Sequence, residues 1–265
     1  MSINPVSIPP NVREALQRAA DSTGVDFGLL AETARRESSY NATAKAGTSS
    51  ATGLFQFIES TWLDMVRKHG AAHGVGALAA RIDVSGGRPR VSDAQTRKAI
   101  LDLRYDPELS ARMAGELARE NAASLRAQIG RAPSAGEIYA AHVMGPGGAA
   151  RLIEAAERGA PNAAALFPRE AAANKGLFYS DGAPRSAAQL LKRLDLDADA
   201  GVGARAPSDA GGQRYVMDPE HGPAIAAFFD ALFRAVASDL IAPDRRDDND
   251  PLRAAAAYAK VQRRD

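Results

Sequence analysis

With 265 residues, and 33 basic against 32 acidic side chains, the chain is long enough for one generous domain or a domain plus an appendage. A chain of this size buries roughly 70–75% of its unfolded surface, so it needs no covalent staple. The absence of cysteine excludes a disulfide framework, thiolate metal sites and a cysteine nucleophile. A net charge of +1 gives no broad field to attract nucleic acid, and none is expected as a partner.

The opening "MSINPVSIPPNVREAL" has no basic segment followed by an apolar one, so no secretory signal is expected. No apolar run approaches the ~18 residues of a membrane span. Alanine is abundant and β-branched residues do not alternate, which predicts a mainly α protein with at most a small β element.

Asn11 is the expected cap of a first helix, "VREALQRAADST", stopped by Gly24. Asp26 caps a second, "FGLLAETARRES", whose apolar stripe is Phe27, Leu30, Ala31 and Ala34. The next positions on that stripe are Glu37 and Ser38. Residues 41–52 are small and polar, as in a loop, and "GLFQF" at 53–57 reads as a short strand or extended turn. Ser60 is the expected cap of "TWLDMVRKH", ended by Gly70, and residues 74–89 read as a long glycine-rich connection. "SDAQ" from Ser92 and "SAGE" from Ser134 look like capping boxes. Between them Asp106-Pro107 opens a long helix that Gly130 closes. "GPGG" at 145–148 is a turn into a further helix; short helical pieces follow to Tyr179. Residues 181–221 read as a Gly/Ala/Asp-rich linker with one short helix at "SAAQLLKRL", and 222–265 as a helical C-terminal extension. The amphipathic stretch 224–241 in that extension could pack on the domain or bind a partner.

Glu37 is the residue that points to chemistry. A carboxyl group aimed along an apolar stripe, at the negative end of a helix dipole, is held towards its protonated form. Such a group can donate a proton to a leaving glycosidic oxygen. The competing reading is an exposed helix-end glutamate beside Arg35 and Arg36. His69 and His73 are four apart, but Gly70 and Gly74 break the helix a zinc pair needs, so no metal and no cofactor are expected. "GPGGA" lacks the lysine of a phosphate loop. Glu59, Asp64 and Asp83 are candidates for a second carboxylate, or simply surface charges.

The combination "ESSYNATAKAGTSSATGLFQF" resembles the signature of the lytic transglycosylases of the soluble lytic type, which have a lysozyme-like fold. The matching elements are Glu37-Ser38, Tyr40-Asn41, Ala44, Ser49 or Ser50, and Gly53-Leu54-Phe55-Gln56. A second family element, Ala-Ala-Tyr-Asn-Ala-Gly-Pro-Gly, is echoed by "AAHVMGPG" at 140–147, where His142 and Val143 replace its tyrosine and asparagine. The resemblance covers residues from about 12 to 180. It implies a lysozyme-like catalytic domain over 1–180, with Glu37 as acid and then base. The substrate is then peptidoglycan glycan strands, cut between N-acetylmuramic acid and N-acetylglucosamine with closure of a 1,6-anhydro ring. Ser38, Gln56 and Phe55 are the expected neighbours of acid or sugar. Tyr139 could partly stand in for the missing tyrosine, and His142 is either a partner of Glu37 or a core residue. Two rivals stand: a hydrolytic muramidase of the same fold, and a non-catalytic docking protein of an envelope-spanning machine or phage particle. The substrate places the protein in the periplasm or envelope, by an export route the sequence does not identify.

Overall fold

The computed structural model describes residues 7–47 and 49–195; the rest of the expected linker and the C-terminal extension fall outside them. The architecture is mainly α-helical with two small two-stranded sheets, as the composition predicts. Helix α1 (Pro10–Thr23) starts two residues earlier than a cap at Asn11 would place it. Proline occupies the first turn, where its missing N–H is no loss. Helix α2 (Phe27–Ser38) begins as expected, with the Asp26 carboxylate accepting from the Leu29 N–H at 3.0 Å. Helix α3 (Glu59–His69) corrects the sequence reading. Ser60 lies inside its first turn, and the Glu59 N–H donates instead to the Ser50 hydroxyl, 3.3 Å away in the preceding loop.

The stretch expected to be a connection holds a short helix α4 (Gly76–Ala79) and a hairpin of β1 (Asp83–Ser85) and β2 (Arg88–Arg90), joined through Gly86-Gly87. Two positive-φ residues between paired strands match the right-handed twist of a hairpin, a signal present in the sequence as "SGGR". Helix α5 (Ala94–Asp102) is capped by Asp93, whose carboxylate takes the Thr96 N–H at 2.6 Å, so the expected box at Ser92 does not form. Helix α6 (Pro107–Ile129) has the expected Asp106 cap and Gly130 stop. Helix α7 (Ala135–Glu157) opens with the expected Ser134–Glu137 capping box and is broken at Gly145.

Short helices α8 (Ala163–Leu166), α9 (Pro168–Ala173) and α10 (Lys175–Phe178) lead to a second hairpin, β3 (Tyr179–Ser180) with β4 (Ala183–Pro184). Helix α11 (Ala187–Leu194) starts from a second capping box at Ser186 and buries Ala187, Leu190 and Leu194. It packs along α7, so the packed body continues past residue 180 to Asp195. Helices α1, α6 and α7 form the central layers, with α1 and α7 each against α6. Among the described residues no helix is long and apolar enough to cross a membrane.

Trp62 on α3 is fully buried, stands edge-on to Phe57 at 5.3 Å, and donates its indole N–H to the Ile100 carbonyl at 2.7 Å. Trp62→Phe keeps an aromatic ring but orphans that carbonyl and leaves space. A loss of roughly 1–3 kcal/mol is expected in denaturant unfolding, and an unchanged midpoint would mean the bond contributes nothing.

The end of α3 meets α6 in a buried charge cluster. The Glu116 carboxylate lies 2.9 Å from His73 Nε2 and 3.6 Å from His69 Nδ1 and is also engaged by Arg119, while His69 Nε2 lies 2.7 Å from Glu120. Burial pushes the Glu116 carboxyl up, but His73, Arg119 and His69 outweigh it and hold the group below its usual value. A depressed folded value means stability is fully present above the unfolded carboxylate range. It is lost as pH falls through that range to the folded value. Glu116→Gln should therefore lower the melting temperature at neutral pH and make little difference in acid. A gap that persisted in acid would assign the effect to packing instead.

Candidate active site

The site forms where α2 ends. Ser39 (φ 51) and Tyr40 (φ 64) both adopt left-handed conformations directly after the last helical residue. Their N–H groups close the helix onto the Arg35 and Ala34 carbonyls at 2.9 and 3.3 Å. Two consecutive non-glycine residues in this region cost of order 1–3 kcal/mol each. The chain thereby turns away from the helix axis immediately beyond Glu37 and leaves its carboxyl at the helix end.

The sequence placed Glu37 on the apolar stripe, and there it lies, only 3% exposed. Burial drives its carboxyl above the ordinary value, against the opposing influence of His142 and of the Arg36 charge. Oε1 has no hydrogen-bond partner among the described groups. His142 Nε2 lies 3.4 Å from it, longer than an ordinary hydrogen bond. The group is thus biased to the protonated form and keeps one oxygen uncommitted.

Ser38 and Gln56 turn out to hold backbone. The Ser38 hydroxyl donates to the Leu54 carbonyl at 2.8 Å and lies 3.2 Å from the Ala34 carbonyl, tying the helix end to the "GLFQF" segment. The Gln56 amide donates to the Gly53 carbonyl at 2.8 Å and towards the Ala44 carbonyl at 3.3 Å. The segment is a tight turn closed by a bridge between Thr52 and Phe57, neither a strand nor a helix. Arg104 fixes it from outside, donating to the Ser50 and Phe57 carbonyls at 2.6 and 3.1 Å. Sequence reading missed Arg104, which lies 47 residues beyond Phe57 and carries no local mark.

Helix α7 supplies the other wall. At Gly145 (φ 70, ψ 158) the backbone leaves the helix, and Pro146 starts it again. Only glycine enters this conformation freely, and a residue before proline avoids the helical region anyway. Tyr139 and His142, one turn apart on the first half of α7, have rings nearly parallel (14°) with centroids 6.0 Å apart. With Phe55, Leu29, Leu30 and Thr33 they line a small cavity between α2, α6 and α7. Tyr139 and Phe55 are almost wholly buried, and burial pushes the Tyr139 phenol well up, keeping it neutral. The structure thus brings Glu37 against His142, and His142 into a shared cavity with Phe55 and Tyr139, while Ser38 and Gln56 hold the backbone of the neighbouring turn.

Arg36 is a second residue that sequence reading missed. It is buried rather than solvated, and its guanidinium lies over the Tyr139 ring at 5.0 Å. The available signal was Glu32, four residues earlier, whose carboxylate accepts from Arg36 Nε at 3.0 Å. Among the described residues no group of three or more His, Asp or Glu side chains is placed to hold a metal ion.

Residues 14–77 match the family model of the transglycosylase SLT domain. The matched span runs from α1 to the start of α4 and contains Glu37, Ser38, Phe55 and Gln56; it stops short of α7 with Tyr139 and His142. With the mainly helical architecture around it, the match supports assignment to the soluble lytic transglycosylases of the lysozyme-like superfamily. That assignment supports a peptidoglycan-cleaving function of the transglycosylase type.

Proposed function

We propose that the protein is a peptidoglycan lytic transglycosylase acting on the β-1,4 bond between N-acetylmuramic acid and N-acetylglucosamine, with Glu37 as its acid and base. The observation that carries this reading is the buried, proton-biased Glu37 carboxyl, with one oxygen uncommitted, inside the segment that matches the SLT domain. Protonated Glu37 gives its proton to the glycosidic oxygen as the bond to C1 of the muramyl residue breaks. The N-acetyl group of that residue stabilises the cationic carbon. The Glu37 carboxylate then takes the proton from the muramyl 6-hydroxyl, whose oxygen bonds to C1 and closes the 1,6-anhydro ring. Glu37 ends protonated, and no water is consumed. His142 would steady the carboxylate while it carries charge, and Phe55 and Tyr139 would shape the apolar wall beside it.

One carboxylate is enough for this chemistry, and the candidates for a second are paired with basic groups or exposed. Glu59 is paired with Arg97 and Asp64 with Arg67 and Lys68, while Asp83 sits exposed on the β1–β2 hairpin. This favours anhydro closure over hydrolysis, which in the two-carboxylate scheme needs a base for the water. The substrate places action in the periplasm or cell envelope, with glycan strands as the partner.

The test is mass analysis of fragments released from isolated peptidoglycan by wild type and by Glu37→Gln. Muropeptides one water lighter than hydrolytic products, absent with the variant, are the expected result. Hydrated reducing ends would replace the reading by a muramidase. Binding to the polymer without release would replace it by a docking protein on the same scaffold.

A further inference from the structure

The contact between α2 and the end of α11 reaches into the site. The Arg36 guanidinium donates to the Leu194 carbonyl at 3.3 Å and the Asp195 carbonyl at 3.0 Å, while its Nε holds Glu32 at 3.0 Å. Arg35 grips both oxygens of Glu32, at 2.5 and 2.7 Å. The guanidinium is therefore fixed in plane and position from two directions, and its flat face lies over Tyr139. Tyr139 in turn stacks on His142, and His142 faces Glu37 Oε1 at 3.4 Å. An unbroken series of packed groups thus joins the C-terminal end of α11 to the carboxyl group.

We propose that Arg36, clamped by the last carbonyls of α11, is a positioning residue that sets the Tyr139–His142 stack against Glu37. The inference rests on the catalytic reading of Glu37 given above. A guanidinium suits the task because its rigid fork bonds two carbonyls and a carboxylate at once while its face stacks on a ring. Lysine keeps the charge but offers neither the fork nor the face. The clamp also depends on an absent side chain. A Cβ at Gly136, in the first turn of α7, would lie 2.7 Å from Asp195 Oδ1 and 2.8 Å from Asp195 Cα. Asp195 can approach Arg36 only because Gly136 leaves that space.

Two variants of the full chain test this, Arg36→Lys and Gly136→Ala. The second leaves Arg36 untouched, and alanine favours a helix more than glycine does, so it should fold. It wedges Asp195 outward. Each is read by steady-state turnover on peptidoglycan and by the ring signals of the four histidines in NMR spectra, with His142 assigned through His142→Gln. Both variants should lower kcat about 10–100-fold, the scale of a slightly misplaced catalytic group, with KM held within about twofold. Both should move the His142 ring signal and leave those of His69 and His73 in place. A tether serving only stability would lower the melting temperature without moving kcat or the His142 signal, and that result overturns the proposal. If wild type releases no fragments, the lytic reading falls, and the His142 signal alone still decides whether the clamp sets the stack.

Discussion

Glu37→Gln is expected to abolish release of glycan fragments and, at neutral pH, to make the protein more stable. The loss of rate follows from removing both proton transfers, each worth roughly 10²–10⁴. The gain in stability follows from where the carboxyl sits. Burial raises its folded value above the unfolded one, so the folded state holds the proton more tightly. Its contribution is then fully present below the unfolded carboxylate range and shrinks as pH rises through the folded value. Glutamine does not titrate, and its amide costs less to bury than an ionised carboxylate. Melting curves of wild type and variant should therefore converge in acid and separate towards neutral pH, with the variant higher. Parallel curves at every pH would mean that the carboxyl is not perturbed, and the acid role would lose its physical basis.

Gly53→Ala is expected to destabilise the protein by roughly 3–5 kcal/mol, at the severe end for a single methyl group. Gly53 has φ +83, and an added Cβ would lie 2.0 Å from the Arg104 carbonyl oxygen and 2.9 Å from its carbon. Both are backbone atoms, so no rotamer change relieves the clash. Arg104 cannot retreat easily, because its side chain holds the Ser50, Phe57 and Leu101 carbonyls. Displacing the turn would also pull Leu54 from Ser38 and disturb the end of α2, so activity should fall even at temperatures where the variant is folded. Gly47, with nothing within 4 Å of an added Cβ, is the control. Urea unfolding of Gly53→Ala and Gly47→Ala gives the comparison, and a loss for Gly53→Ala as small as the control's would mean that the turn yields.

What the sequence disclosed and what it withheld divide along the range of the contacts. Asp26, Asp106 and Ser134 were legible as caps because each satisfies N–H groups two or three residues ahead. The burial of Glu37 was legible because the 3.6-residue period of α2 carries its stripe to the last turn. The start of α3 was not, since its capping oxygen comes from Ser50, nine residues back. Ser38 and Gln56 were legible as members of the motif but not as supports of backbone, because their partners are carbonyls without side-chain identity. Arg36 reads locally as a charge beside a charge. Its role depends on carbonyls 158 and 159 residues away, which no helical periodicity reports. The expectation for His142 had two branches, and its place 3.4 Å from Glu37 Oε1 depends on a contact between helices far apart in the chain.

The left-handed pair Ser39–Tyr40 and the buried carboxyl beside it share a consequence for anyone who evolves this protein in the laboratory. Glycine at position 39 or 40 would relieve the backbone, and glutamine at 37 would relieve the burial. A library screened for heat resistance alone would collect such changes first. Its winners would be robust proteins, among them variants without the Glu37 carboxyl on which the proposed cleavage rests. Selection on such a library therefore has to score cutting of the polymer in the same round as survival.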